Sequence, residues 1–204
     1  DPTNPEQPAS HHWGLVEVLI AADVVAEDQF GYAVSISEGN IIVGAPYDDS
    51  TDNGAGAAYV FVYGGNAWEL ERKPVASDGL RNAQFGYAVA MQGATLVVGA
   101  PFSDDGDIDS GAAYIFARNE DGANQWGEVV KLTSGMPAPN DYFGTSVAVS
   151  GDVVVVGAYG VDDGRGAAYV FARNQGGVDN WGQVRKLTAS DAASNDYFGR
   201  SVAI

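Results

Sequence analysis

Cysteine is absent from the 204 residues, which excludes a disulfide framework and any thiolate metal site or thiol nucleophile. Histidine is nearly absent too, since His11 and His12 stand together behind a Pro-rich leader and no third one follows. Basic residues are scarce, with 10 Lys and Arg against 27 Asp and Glu, and the net charge is −17. A field of that sign repels phosphate backbones and anionic membranes, so no nucleic-acid partner is expected. It either attracts cations or simply keeps the surface soluble. No run approaches the roughly 18 to 20 apolar residues that cross a bilayer, so membrane insertion is not expected. No charged-then-apolar signal segment precedes Asp1, and an exported form would have lost its signal already. Asn-x-Ser/Thr sequons are missing, so N-linked glycans get no support. What remains is 46% hydrophobic, ample for a core.

The residues present are strongly periodic. Phe-Gly pairs begin at Phe30, Phe85, Phe143 and Phe198, and tryptophans stand at Trp13, Trp68, Trp126 and Trp181, each 17 residues before its Phe. Thirteen residues after the first three Phe come Val43-Gly44-Ala45-Pro46, Val98-Gly99-Ala100-Pro101 and Val156-Gly157-Ala158-Tyr159. A Gly-Ala-Ala-Tyr-x-Phe segment then recurs from Gly56, Gly111 and Gly166. A period near 55 residues holding four short apolar segments implies radially repeated antiparallel sheets rather than a sandwich.

Each unit predicts four strands. The first alternates, as in Phe30, Tyr32, Val34 and Ile36 over Phe30 to Ser37. The second, at 41–45, 96–100 and 153–158, is apolar throughout and should be buried on both faces. The third runs through Ala-Ala-Tyr-x-Phe. The fourth starts at the Trp and carries Arg72, Lys73, Lys131, Arg185 and Lys186, expected to guard an exposed sheet edge. The fold class is therefore all-β, a β-propeller of four-stranded antiparallel blades. The expected organisation is an arm or linker at 1–12, an outer strand at 13–20, blades at 30–74, 85–133 and 143–188, and the first strand of a further blade at 198–204. Three blades do not close a ring, so either more sequence follows Ile204 or copies of the chain complete one another.

These motifs resemble the FG-GAP repeat, the blade unit of the integrin α-subunit head and of many bacterial extracellular proteins. The Phe-Gly pairs supply one half of the motif, and Gly44-Ala45-Pro46 and Gly99-Ala100-Pro101 the other, with Tyr159 replacing proline in the third copy. The resemblance spans about Trp13 to Ile204 and implies an extracellular propeller used for adhesion or ligand binding. The integrin repeats hold calcium between first and second strands. Here that link is a tight turn, as at Glu38-Gly39-Asn40 or Gln92-Gly93-Ala94, and has no room for such a loop.

Carboxylates gather instead between second and third strands: Asp48, Asp49 and Asp52; Asp104, Asp105, Asp107 and Asp109; Asp162 and Asp163. Alternating Asp105, Asp107 and Asp109 can turn their oxygens toward one point, and calcium takes six to eight oxygens. These nine residues are the candidate Ca²⁺ ligands. The competing reading is that Asp, Asn, Ser and Gly only make turns. The phased tryptophans serve either as sugar platforms or as packing between blades. Tyr32, Tyr87, Tyr142 and Tyr197 are expected to line the core or the channel. Acidic loops that recur in every blade suggest scaffold rather than one active site, so the chain is not expected to be an enzyme. The expected role is a secreted or cell-surface module whose partner is a protein or glycan ligand. The alternatives are a subunit that polymerises head-to-tail through unpaired blade ends, or the propeller domain of a larger secreted enzyme.

Overall fold

The structure is a computed structural model and describes residues 15, 17–104, 106–120, 122, 125–175 and 177–204. The arm at 1–12, with His11 and His12, and Trp13 lie outside the described residues. The first sheet comprises β1 (Val34–Ser37), β2 (Asn40–Ala45), β3 (Ala57–Tyr63) and β4 (Trp68–Arg72). The second comprises β5 (Ala88–Gln92), β6 (Thr95–Ala100), β7 (Ala112–Arg118) and β8 (Trp126–Leu132). The third comprises β9 (Phe143–Ser150), β10 (Val153–Ala158), β11 (Ala167–Arg173) and β12 (Trp181–Leu187). Strands within each sheet are hydrogen-bonded in chain order and antiparallel, the arrangement of a propeller blade.

Local sequence dictates the ladders. Glu38 and Gly39, at φ 48° and 75°, close the β1–β2 hairpin between paired Ser37 and Asn40. The middle strands β2 and β6 are almost wholly buried, as their unbroken apolar sequence requires. Two cores fill the blade junctions. Ile42, Val60, Phe85, Leu96, Tyr114 and Trp126 pack between the first and second blades. Val97, Ile115, Phe143, Val154, Tyr169 and Trp181 pack between the second and third. Phe30, Phe85 and Phe143 each stand edge-on to the Tyr and Phe of their own third strand, Phe85 lying 5.4 Å from Tyr114 and 5.8 Å from Phe116.

The two halves of the repeat motif meet across blades. The N–H groups of Asn82, Gln84 and Phe85 donate to the carbonyls of Asn53, Gly54 and Ala55 at 2.9, 3.1 and 2.9 Å. Asn140, Tyr142 and Phe143 repeat this on Ile108, Asp109 and Ser110, and Asn195, Tyr197 and Phe198 on Asp163, Gly164 and Arg165. This three-bond staple needs positive φ on both sides of the Phe: Gln84 is at 56°, Gly86 at 97°. The motif glycines then touch. A Cβ on Gly44 would lie 2.0 Å from the Gly86 carbonyl oxygen, and one on Gly99 1.9 Å from that of Gly144.

Three expectations change. β1 begins at Val34 rather than Phe30, because Gln29 and Gly31 take positive φ and lead the chain into the strand through a turn. No strand forms at 17–20 or 199–204, since no backbone ladder pairs with them among the described residues. The rim lysines do not simply guard an edge. Lys73 and Lys131 fold inward over the Tyr59 and Tyr114 rings, at 4.9 and 5.5 Å, and pair with Asp23 and Asp78 of the preceding connections.

Candidate functional site

The β2–β3 link is the first of the acidic segments. Asp48 is only 2% exposed and sits under Lys73. Its Oδ2 accepts from Tyr59 Oη at 2.7 Å and lies 2.8 Å from Lys73 Nζ, while its Oδ1 accepts from the Ser50 N–H at 2.9 Å. Burial pushes the Asp48 carboxyl up, but Lys73, Ser50 and Tyr59 outweigh it and hold it below the usual carboxylate range. Burial likewise pushes the Lys73 ammonium down, and its bonds to Asp23, Asp48 and Tyr59 more than reverse this. Asp49 Oδ1 accepts from the Gly54 N–H at 2.6 Å, and Asp52 Oδ1 from the Asn53 N–H at 2.7 Å. The three carboxylates of this link thus serve one ion pair and two turns.

The β6–β7 link follows the same logic. Asp104 Oδ1 accepts from the Asp109 N–H and Asp107 Oδ1 from the Ile108 N–H, both at 2.9 Å. Burial and the nearby Asp104 charge raise the Asp109 carboxyl. Asp105 lies outside the described residues. In the β10–β11 link, one turn, α1 (Val161–Gly164), holds Asp162 and Asp163 at φ 52° and 59°, with both side chains exposed.

Calcium does not fit these links as they stand. Among the described residues no group of three or more acidic or histidine side chains is arranged to hold a metal ion. Where Asp48 offers the most buried carboxylate, an ammonium already occupies the cation's place. Asp104 and Asp107 each spend an oxygen on an N–H group that the short loop leaves unsatisfied, and the expected convergence of Asp105, Asp107 and Asp109 involves a residue outside those described. Calorimetric melting with and without EDTA is expected to give the same midpoint; a fall on chelation would reinstate calcium as a ligand of these links.

The described tryptophans, Trp68, Trp126 and Trp181, pack rather than display themselves. Trp126 is buried, donates from Nε1 to Glu71 Oε2 of the preceding blade at 2.9 Å, and lies under Arg118, which pairs with the same Glu71. The tyrosines form a continuous aromatic line across the blades. Tyr32 meets Tyr87 at 4.9 Å, Tyr87 meets Phe102 at 6.0 Å, and Phe102 meets Tyr142 at 5.5 Å. Tyr142 stacks on Tyr159 at 4.9 Å and 17°, and Tyr159 meets Tyr197 edge-on at 5.6 Å.

Two equivalent clefts open at the blade junctions beside the staples. One, ≈ 480 Å³, lies among Gln29, Tyr47, Asp49, Asn53 and Asn82. Its counterpart in the third blade, ≈ 620 Å³, lies among Asp141, Tyr142, Tyr159, Asp162, Asp163 and Tyr197. The sequence did not single out these clefts, because their walls come from segments more than 50 residues apart. The recurring Lys-on-Tyr contact was legible in principle: Lys73, Lys131 and Lys186 each stand five residues after a phased Trp.

Stapled four-stranded blades with phased aromatic cores define the molecule as a β-propeller blade array. The family model of the FG-GAP repeat matches residues 13–61, 68–116, 126–171 and 181–204, and the chain belongs to that family. Integrin alpha-6 of Gallus gallus is 30% identical over 138 residues, covering 61% of this chain and 12% of that protein. The Homo sapiens integrin alpha-6 gives the same identity over the same length, with 11% of that protein covered. The chain thus spans a small fraction of these relatives. Among solved structures, a europium-containing methanol dehydrogenase is similar over 81% of this chain and 27% of its own, at 12% identity and TM-score 0.46. That neighbour corrects the expectation that the chain is not an enzyme. Its name is that of an enzyme, so the exclusion of catalysis is withdrawn, although a likeness so distant assigns no activity here.

Proposed function

We propose that this chain supplies blades of an extracellular or cell-surface propeller that binds a protein or glycan ligand, as an adhesion module. The observation that carries this reading is the match of FG-GAP repeats along nearly the whole chain, together with the integrin alpha-6 likeness. Among the described residues no helix is long and apolar enough to cross a membrane. Beads coated with the protein are expected to retain cells well above albumin-coated beads, and to lose them when soluble protein is added as competitor. Retention equal to the albumin control would overturn the reading.

A further inference from the structure

Asn53-Gly54 is the one Asn-Gly pair of the sequence, and it sits in the staple that joins the first blade to the second. The Asn53 and Gly54 carbonyls accept from the N–H groups of Asn82 and Gln84, at 2.9 and 3.1 Å. Ile108 and Asp109 hold the same two places in the second blade, and Asp163 and Gly164 in the third. Asp109, at φ 52°, takes nearly the backbone of Gly54, at φ 61°. The staple itself therefore demands neither an asparagine nor a glycine there.

The surroundings leave the reactive atoms of the pair accessible. Asn53 is exposed and lines the ≈ 480 Å³ cleft beside Gly54 and Asn82. Its backbone N–H is held by Asp52 Oδ1 at 2.7 Å, but its side-chain amide takes none of the described hydrogen bonds and can turn toward the main chain. Gly54 carries no side chain to shield its nitrogen. The proton on that nitrogen is already engaged, being donated to Asp49 Oδ1 at 2.6 Å. An amide N–H lies in the peptide plane, so the bond to Asp49 leaves the π face of the nitrogen clear for the Asn53 side chain. In the second blade Asp104 holds the Asp109 N–H in the same way, but Ile108 has no carbonyl to attack. In the third blade the Gly164 N–H donates to the Gly160 carbonyl, which is not a base. Among the described residues the first blade alone combines an amide leaving group, an unshielded nitrogen and a carboxylate on its proton.

We propose that Asn53 is a self-modification site, deamidated by attack of the Gly54 nitrogen with Asp49 as the general base. The Asp49 carboxylate takes the Gly54 proton while the nitrogen bonds to Asn53 Cγ. The bond from Cγ to the side-chain nitrogen then breaks, and that nitrogen leaves as ammonia with the proton from Asp49. Water opens the succinimide ring at either carbonyl, giving aspartate or isoaspartate, and no other reactant is consumed. In the isoaspartyl product the main chain runs through the former side chain and is one carbon longer. The carbonyl that accepted from Asn82 becomes a free carboxylate, out of register with the Gly54 carbonyl that holds Gln84. The reaction thus loosens the first blade junction with time and in one direction, and leaves the staples at 108–110 and 163–165 intact.

The test keeps the whole chain in mildly alkaline buffer at body temperature and samples it by peptide mapping. The peptide holding Asn53 is expected to gain the mass of an amide-to-acid change and to become a substrate of protein-isoaspartate methyltransferase. Asp49→Asn keeps an acceptor for the Gly54 N–H but no base, so the fold is retained. It is expected to react about tenfold more slowly, less than general base catalysis usually yields because a carboxylate is a weak base for an amide proton. In a synthetic peptide of residues 48–58 nothing holds Asp49 against Gly54, and the same substitution is expected to leave the rate unchanged. Anion exchange isolates the aged protein, whose melting midpoint is expected to fall by about 3 °C, the loss of roughly one hydrogen bond in a chain of this size. Asn53→Gln aged in the same way is expected to keep its midpoint, since the longer side chain closes its ring far more slowly. The proposal is overturned if Asn53 is intact when the synthetic peptide has fully reacted, if Asp49→Asn reacts as fast as wild type or faster, or if aged and fresh protein melt together.

Discussion

Gly86→Ala is expected to destabilise the protein by about 3 kcal/mol or more, and Gly31→Ala by only about 1 kcal/mol, in equilibrium urea unfolding. Both glycines follow a motif Phe and have nearly the same backbone, at φ 97° and 95°. A Cβ therefore meets the same backbone strain at either position. The surroundings differ. At Gly31 nothing lies within 4 Å of the added carbon, whereas at Gly86 it would stand 2.3 Å from the Ala57 carbonyl oxygen and 3.1 Å from the Ala45 nitrogen. Those atoms belong to the backbone of the preceding blade and cannot turn aside as a side chain does. Relief requires the blades to part, with loss of the staple bonds from Asn82, Gln84 and Phe85. The difference between the two variants thus measures blade-to-blade contact with the φ penalty subtracted. Equal losses would show that the glycine is there for its φ alone.

The second large effect belongs to Lys73. Lys73→Met is expected to cost about 3 kcal/mol at neutral pH, because it leaves Asp48 buried without its counter-charge. The Ser50 and Tyr59 hydrogen bonds to Asp48 survive and keep the loss at the lower end of what breaking a buried pair costs. The Asp23 contact adds little, since that carboxylate is half exposed and screened. The pH dependence has a definite sign. Asp48 and Asp23 are held below their ordinary values, so their contribution is complete above about pH 4, the unfolded carboxylate value, and is lost as pH falls through the folded one. Lys73 is held above its ordinary value, so its contribution is complete below about pH 10 and is lost as pH rises through the folded one. The gap between wild type and Lys73→Met should therefore be widest between roughly pH 4 and pH 10 and should narrow on acidification, when Asp48 is neutralised in the variant first. Urea unfolding at pH 7 and pH 3 checks it, and a gap that does not change with pH would remove the buried ion pair as the cause.

Much of the fold was legible because a repeat states its own register. Trp, Phe-Gly and Val-Gly-Ala recur at fixed offsets from one another, Ala-Ala-Tyr-x-Phe follows in every blade, and each motif corresponds to a strand or to the turn before one. The middle strands β2, β6 and β10 fall within a residue of their expected bounds because uninterrupted apolar residues between turn signals leave little choice. β1 was less legible, since alternation continues through Phe30 and Tyr32 while positive φ at Gln29 and Gly31 delays the ladder to Val34. The rim lysines were misread for a related reason. A charged residue on an outer strand looks the same in sequence whether its ammonium reaches water or, as with Lys73, folds back onto Tyr59 and Asp48.

The acidic links show the same boundary at the level of the site. Nine carboxylates at recurrent positions are visible in the sequence, but the atoms their oxygens bond to are not. Asp104 capping the Asp109 N–H and Asp49 capping that of Gly54 are decisions of loop geometry. Spacing alone leaves them equally available to a cation.

The sequence by itself determined the repeat, the four-strand blade, the strand order and the places where glycine is required, because these depend on contacts that recur at one fixed separation. Tertiary structure alone decided that the Gly86 carbonyl fills the space of a Gly44 side chain, that Lys73 neutralises Asp48, and that Tyr142, Tyr159 and Tyr197 wall one cleft. Those contacts join different blades, and the distance between blades is set by the packing of whole sheets rather than by any residue's neighbours in the chain.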